Sequence, residues 1–434
     1  MDKMADVLGR AGAWCGQNKY LSAIKNAFQN FMPLTIAGAI GVLWCNVLVN
    51  ESTGLGLFFK PIMALDFLNP AFQAVNFCTI SCITVGITLG IAQEIGIWNM
   101  GAEKAGYIPG LVGLAAWLSV TNTSHMVDGA KEAFTGVAGN ELGATGLFTG
   151  MIIGVLSVEL FCFFEKQDAL KIKMPEQVPP GVARAFEVLV PATITLIITA
   201  CIGSACYNLT GLYLNDVIKN GVQGPLGAVG ATVPGVMIIY LVIMLFWLVG
   251  IHGNNMLSAV KEALFTPLAL ENVEKFNKGE KPTNIINMYA LQRWGEFGGS
   301  GVTIGLVIAI MIFGKREDNK AIATLSLVPG LFNINETVTF GIPMVLNPIL
   351  GIPFVVAPLI TIIIGYVLTV IGFCPVACLT VPWTTPPIVF GFLACGANVM
   401  GAVTQAILIV VSTVIYVPFL ISYEKYQNKQ AAEA

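Results

Sequence analysis

The chain has 434 residues, 56% of them hydrophobic and 11% charged, with a formal net charge of −3. Soluble domains carry about 25% charged residues, and the mean hydropathy here is +0.78, so a water-soluble globule is excluded. The near-neutral balance likewise speaks against a nucleic-acid partner. The expected fold class is an all-α polytopic membrane protein.

Residues 1–30 mix polar and apolar side chains and include Lys3, Arg10, Lys19 and Lys25. They lack the continuous apolar core of a cleavable signal peptide and read instead as an amphipathic helix lying at the interface. Apolar runs then predict helices over roughly 31–49, 73–93, 107–121, 144–164, 183–207, 225–251, 299–314, 345–373 and 400–423. Eighteen of the 22 Lys and Arg residues cluster in 1–30, 165–187, 261–293, 315–320 and the C-terminal tail, while Lys60, Lys104, Lys131 and Lys219 stand alone. Clustered basic loops belong on the cytoplasmic side. Alternation from a cytoplasmic N-terminus then puts 50–72, 122–143 and 208–223 outside. The second half does not alternate so simply, because one short apolar stretch separates two basic loops. The stretches 252–270 and 321–343, broken by Gly, Asn and Pro, are therefore expected to enter the membrane and return. The expectation is about ten transmembrane helices plus two re-entrant hairpins, with both termini inside. The polar connection 165–182 divides a first half, 1–182, from a second, 183–434.

The ten cysteines mostly fall in apolar surroundings and read as small buried hydrophobes. Cys374-x-x-x-Cys378 lacks a neighbouring His or acid, so no metal is called for, and no cofactor either.

Residues 321–423 contain one charged side chain, Glu336. A lone carboxylate at membrane depth is costly, which makes it a functional-site hypothesis. It follows Asn333 and Asn335, and stripping water from that set is expensive unless partners or a wet cavity are present. Gly250-Ile-His-Gly-Asn-Asn255 ends a long run, 220–260, without Asp, Glu, Lys or Arg. Its glycines let backbone approach a ligand, and Asn254 and Asn255 offer amides that read hydroxyls. His252 fits either a ligand contact there or a plain helix-end cap. Gln292 to Gly301 matches no phosphate-binding loop, but its Arg293, Trp294, Glu296 and Gly299 are available beside a site. Trp383, in Val381-Pro-Trp-Thr-Thr-Pro-Pro387, is a ring that could lie against a pyranose or an ordinary interfacial tryptophan. His125 reads as a solvated loop residue. One acid, one imidazole, many amides and a few indoles suit a neutral, hydroxyl-rich solute.

At Gly250–Gly253, Pro175–Pro180, Trp294–Gly301, Phe332–Thr337 and Gly341–Pro343 the chain resembles the permease (EIIC) component of bacterial sugar phosphotransferase systems, in their lactose/cellobiose/diacetylchitobiose branch. The resemblance covers essentially the whole chain. It implies a homodimer in the lipids of the bacterial cytoplasmic membrane, joined through the first half. The second half would hold a β-linked disaccharide beneath two re-entrant hairpins and carry it across by an elevator-like motion. A phosphocysteine on a separate EIIB, itself supplied through EIIA, would then phosphorylate the C6 hydroxyl. The resemblance places Glu336 and His252 near that hydroxyl as catalytic residues, and both also as sugar contacts. No soluble domain with a reactive cysteine is visible, so the donor is expected to dock on the basic loops. The competing reading is a cation-coupled secondary sugar transporter, with Glu336 as its ion site. A passive channel would want rings of like groups.

Overall fold

Helices make up nearly all of the regular structure. The computed structural model describes residues 10, 14, 17–51, 56, 59–125, 133–175, 177–225, 230–342 and 344–433. Much of the expected interfacial helix (1–9, 11–13, 15 and 16), together with Lys131, Glu176 and Pro343, lies outside the described residues. Among those described, five helices are long and apolar enough to cross a membrane: Lys19–Leu48, Ala144–Glu165, Pro180–Thr210, Gly351–Val370 and Val399–Glu433. Two bent pairs, Lys60–Ser81 with Ile83–Met100 and Met288–Val302 with Ile304–Phe313, raise the number to seven if each is one span. Ile108–Val120 and Val233–Leu248 are apolar but shorter. Each of the nine expected runs thus has a helical counterpart, while length and composition alone do not reach ten spans.

The chain forms two compact units, and the division does not follow residue 182. One unit comprises Gln17–Gly38 and Ala74–Ala228, and the other Ala39–Gln73 and Val229–Ala434, with residues 1–16. Helix Pro180–Thr210, expected in the second half, packs within the first of these units on Ile108–Val120 and Ala144–Glu165. The connection 165–182 therefore joins helices of one unit.

That unit is built on close helix approach. Ile83–Met100 buries Ile83, Ile87, Ile91 and Ile95 at intervals of four, one face of the helix. Side chains at Gly113 and Gly150 would run into Ala92 and Thr88, so small residues let the backbones touch, as in membrane interiors generally. A cluster of Ala116, Trp117, Val120 and Ile153 completes the packing. At one end Glu165 is almost fully buried between Lys104 (2.8 Å) and Arg184 (3.0 Å). His125 sits in a two-stranded antiparallel hairpin, paired in register with Phe134.

In the other unit three reversals of the chain bear on the site. After Val233–Leu248 it reverses at Gly250 (φ +80°), and Gly253 lies directly on the carbonyl of Ile243. Most of the stretch 252–270 lies beyond that reversal, in helix Ser258–Asn277. The charges of that helix are laid sideways onto protein partners, such as Lys261 on Glu296.

Next, helix Glu317–Leu331 turns at Asn333 (φ +62°) into the short helix Glu336–Gly341. A Cβ at Gly341 would lie 2.8 Å from Ile322, so the two arms run side by side as a hairpin. Finally, residues 378–395 form a second hairpin, with Trp383 near its tip. Its base is closed by the amides of Cys378 (2.8 Å) and Leu379 (3.1 Å), which donate to the Ala394 carbonyl. The sequence reading did not anticipate this one.

Candidate functional site

Each of these reversals leaves polar groups at a helix end, and the helix ends converge. At the first, His252 caps the short helix Gly253–Met256, its Nδ1 accepting from the Asn255 amide at 3.2 Å. That bond leaves the proton of the neutral ring on Nε2, which faces Glu336 Oε1 at 3.8 Å. The indole of Trp247 backs the imidazole, with ring centroids 4.4 Å apart. Glu336 begins the returning arm of the Glu317–Gly341 hairpin. The separation is too long for a direct hydrogen bond, yet one hydroxyl oxygen can sit within reach of both groups. Both side chains are more than a third exposed to the space between them.

The middle of the site is a tight turn. Gly298 (φ +70°), Gly299 (φ +88°) and Gly301 (φ +78°) all adopt left-handed backbone, which glycine reaches without steric penalty. A Cβ on Gly299 would strike the Asn335 side chain at 2.6 Å, so the turn and the hairpin tip are in intimate contact. Asn335 Nδ2 donates to the Ser300 carbonyl at 2.7 Å. Asn333 does more: its Oδ1 accepts from the Gly298 amide at 2.6 Å, and its Nδ2 donates to the carbonyls of Trp383 (2.6 Å) and Thr385 (3.0 Å). One amide thus ties both hairpin tips to the glycine turn.

A cavity of about 600 Å³ opens among these segments, within the ~300–1,000 Å³ range of small-molecule sites. His252, Asn254, Asn255, Glu296, Gly299, Asn333, Asn335, Glu336 and Trp383 line it. The structure therefore brings nine of the eleven residues singled out in the sequence to one space, drawn from four separated stretches of chain. Asn333 and Asn335 reach it with their amides largely committed to backbone.

Arg293 and Trp294 do not line it. Helix Met288–Gly295 directs Gln292 to the cavity while its next two residues point into the packed interior. The Arg293 guanidinium, fully buried, contacts the thiols of Cys395 and Cys374 and donates to Thr369 Oγ1 at 3.4 Å. Trp294 is buried against Gly365. Both are corrected to interior packing roles, because successive helical residues point about 100° apart.

Sequence reasoning passed over Gln405, a lining residue in the long apolar helix Val399–Glu433. Its Oε1 accepts from the amides of Ile388 (2.8 Å) and Gly391 (2.7 Å), anchoring the second hairpin. A lone amide in an apolar stretch was the available signal. Behind the wall, Tyr240 donates to Glu296 Oε1 at 2.6 Å, and Lys261 pairs with the same oxygen. Among the described residues no cluster of three or more His, Cys, Asp or Glu could hold a metal ion.

Comparison with known proteins points to one family. The model of a family described as Phosphotransferase system, EIIC matches residues 25–358. The chain is 32% identical over 429 residues to the PTS system oligo-beta-mannoside-specific EIIC component of Bacillus subtilis (strain 168), covering 98% of this chain and 94% of the relative. It is 29% identical over 486 residues to the PTS system cellobiose-specific EIIC component of Lactococcus lactis subsp. lactis (strain IL1403), covering 98% of each. The crystal structure of the transporter ChbC, the IIC component from the N,N′-diacetylchitobiose-specific phosphotransferase system, matches with a TM-score of 0.88 and 30% identity over 97% of each chain.

Proposed function

The chain belongs to the EIIC family of the phosphotransferase system, and from that premise we propose that it binds a β-linked disaccharide of the cellobiose, diacetylchitobiose or lactose type and delivers it for phosphorylation at its C6 hydroxyl. Relatives named for cellobiose, diacetylchitobiose and oligo-β-mannosides share the β-linkage and support that substrate class. The observation that carries the reading is the Glu336–His252 pair, held 3.8 Å apart over an open cavity.

The chemistry follows from the pair. Glu336 accepts the proton of the sugar hydroxyl as its oxygen attacks phosphorus. The new C6 O–P bond forms as the P–S bond of the donor phosphocysteine breaks, and the thiolate leaves with EIIB. General-base help of this kind is worth roughly 10²–10⁴-fold, and the rest of phosphoryl transfer is positioning. His252, with its Nε2–H directed at the same point, orients the hydroxyl. Trp383 offers a face for a pyranose. The product carries an added negative charge into a cavity with two lining carboxylates, Glu296 and Glu336, which favours its departure.

In this reading the protein spans the bacterial cytoplasmic membrane about ten times. Both termini are cytoplasmic, and the two re-entrant hairpins are the ones carrying Asn333 and Trp383. The sharing of Glu165 by Lys104 and Arg184 supports putting the basic 165–187 loop and the 101–107 turn on one side. A homodimer joined through the first half, moving sugar by an elevator-like displacement, completes the proposal.

The test is uptake and phosphorylation in vesicles. Glu336→Gln is expected to keep sugar binding and to lose phosphorylation when phosphorylated EIIB is supplied. Uptake that collapses with an uncoupler despite that donor would favour cation coupling and overturn the reading.

A further inference from the structure

The wall opposite Glu336 is organised by a residue that never meets the cavity. Lys261, on helix Ser258–Asn277, is 5% exposed. Its Nζ contacts Glu296 Oε1 and donates to Asn254 Oδ1 at 3.2 Å. The same Glu296 oxygen accepts from Tyr240, itself fully buried. Asn254 Nδ2 in turn donates to Ser300 Oγ at 2.9 Å. Glu296, Asn254 and Ser300 all line the cavity, whereas Lys261 and Tyr240 do not.

Counting donors and acceptors shows what this arrangement leaves over. Glu296 Oε1 is saturated from behind, so Oε2 remains as an acceptor. Asn254 cannot flip, because its oxygen is claimed by an ammonium that has no acceptor to offer the opposite orientation. Its second N–H and the Ser300 O–H remain as donors. The wall therefore presents one ionic acceptor followed by two donors, Glu296, Asn254 and Ser300, in an order set from behind by one cation.

We propose that Lys261 is the positioning residue that fixes the hydrogen-bonding polarity of Glu296 and Asn254, and so determines which sugar hydroxyl this wall reads. The proposal rests on the sugar reading of the cavity. Removing the cation strands a partly buried carboxylate and frees the amide to rotate. Loss of one partner from such a buried pair is far more damaging than loss of both.

The experiment measures Kd by calorimetry on purified full-length protein, with cellobiose, lactose and diacetylchitobiose, and then with the monodeoxy analogues of whichever sugar binds. Wild type is expected to discriminate about 10-fold or more against at least one analogue. Lys261→Met is expected to weaken the parent sugar about 30-fold or more and to lose that one discrimination while keeping the others. Lys261→Met with Glu296→Gln should bind at least as well as Lys261→Met alone and match Glu296→Gln. Where the single variant does not fold, this double variant, which strands no charge, carries the test.

A Lys261→Met protein that binds within twofold of wild type, or a double variant showing the product of the two single losses, overturns the proposal. So does a loss of discrimination spread evenly over all analogues, which is what a general structural defect gives. Failure of the unmodified protein to bind any of the three sugars overturns the sugar reading, and this proposal with it.

Discussion

Glu165 and Glu336 are both acids in an apolar chain, and the molecule treats them in opposite ways. Glu165 is 1% exposed, with one oxygen, Oε1, shared by two cations from other stretches of chain. Glu336 keeps 47% of its side chain open, with the His252 imidazole 3.8 Å away. A carboxylate buried between two cations is out of a ligand's reach and serves the packing of its helices. One left half-matched beside a cavity is held ready for something the protein does not itself contain. The comparison separates the two acids by how much of each stays open, not by the presence of a charge in apolar surroundings.

The substitution expected to have the largest effect is Glu336→Gln. Phosphorylation should fall about 10²-fold or more, with sugar affinity changed only a few-fold and the thermal midpoint held. A normal turnover rate would make Glu336 another Glu165. The reciprocal change, Glu165→Gln, leaves Lys104 and Arg184 without their shared partner. It is expected to destabilise the protein by about 3 kcal/mol, read as a lowered thermal midpoint, while the affinity for sugar stays put. If affinity fell as well, the two acids would not be independent.

A smaller effect is expected at the seam between the hairpins. Asn333→Ala removes an acceptor from Gly298 and a donor from two carbonyls, and should cost about 2 kcal/mol of stability together with roughly tenfold in sugar affinity, as Trp383 loses its support. Asn333→Asp keeps the Gly298 bond but turns an anionic oxygen onto the two carbonyls, and is expected to lose at least as much. Trp383→Phe retains an aromatic face and should lose about threefold in affinity. At the bottom of the scale, Asp168→Asn breaks an exposed ion pair with Lys171 (3.0 Å). It is expected to leave both the melting profile and sugar binding unchanged, as solvated pairs contribute little.

The apolar helices were legible because a membrane demands long runs of one composition. Ser258–Asn277 and Met288–Gly295 were not, and Glu317–Leu331 was legible only as part of a returning segment, because their charged and polar residues interrupt hydropathy while pairing sideways in three dimensions. Lys261 on Glu296, and Asn319 on Glu424 at 3.2 Å, are examples. The hairpin carrying Trp383 is closed by backbone bonds between residues 378–379 and 394, a long-range closure that leaves no local pattern. Glu336 and His252 were legible because each is nearly alone of its kind. Arg293 and Trp294 were misread because a motif is continuous along the chain, whereas a helix sends its neighbours to different sides. Gln292 and Glu296, four apart, share the wet face. Lys261 and Tyr240 act through Glu296 from behind, and nothing in their spacing announces it.

The Asn333 side chain has a mechanical consequence. Three bonds radiating from one amide rivet two hairpin tips and a glycine turn into a single block. Prising the Asn333 tip aside, as a hinged flap would, severs all three bonds at once, and prising the Trp383 tip severs two. Shifting the block whole severs none of them. A bound solute walled by these segments would then be carried along with its surroundings, not released by a door swinging open above it.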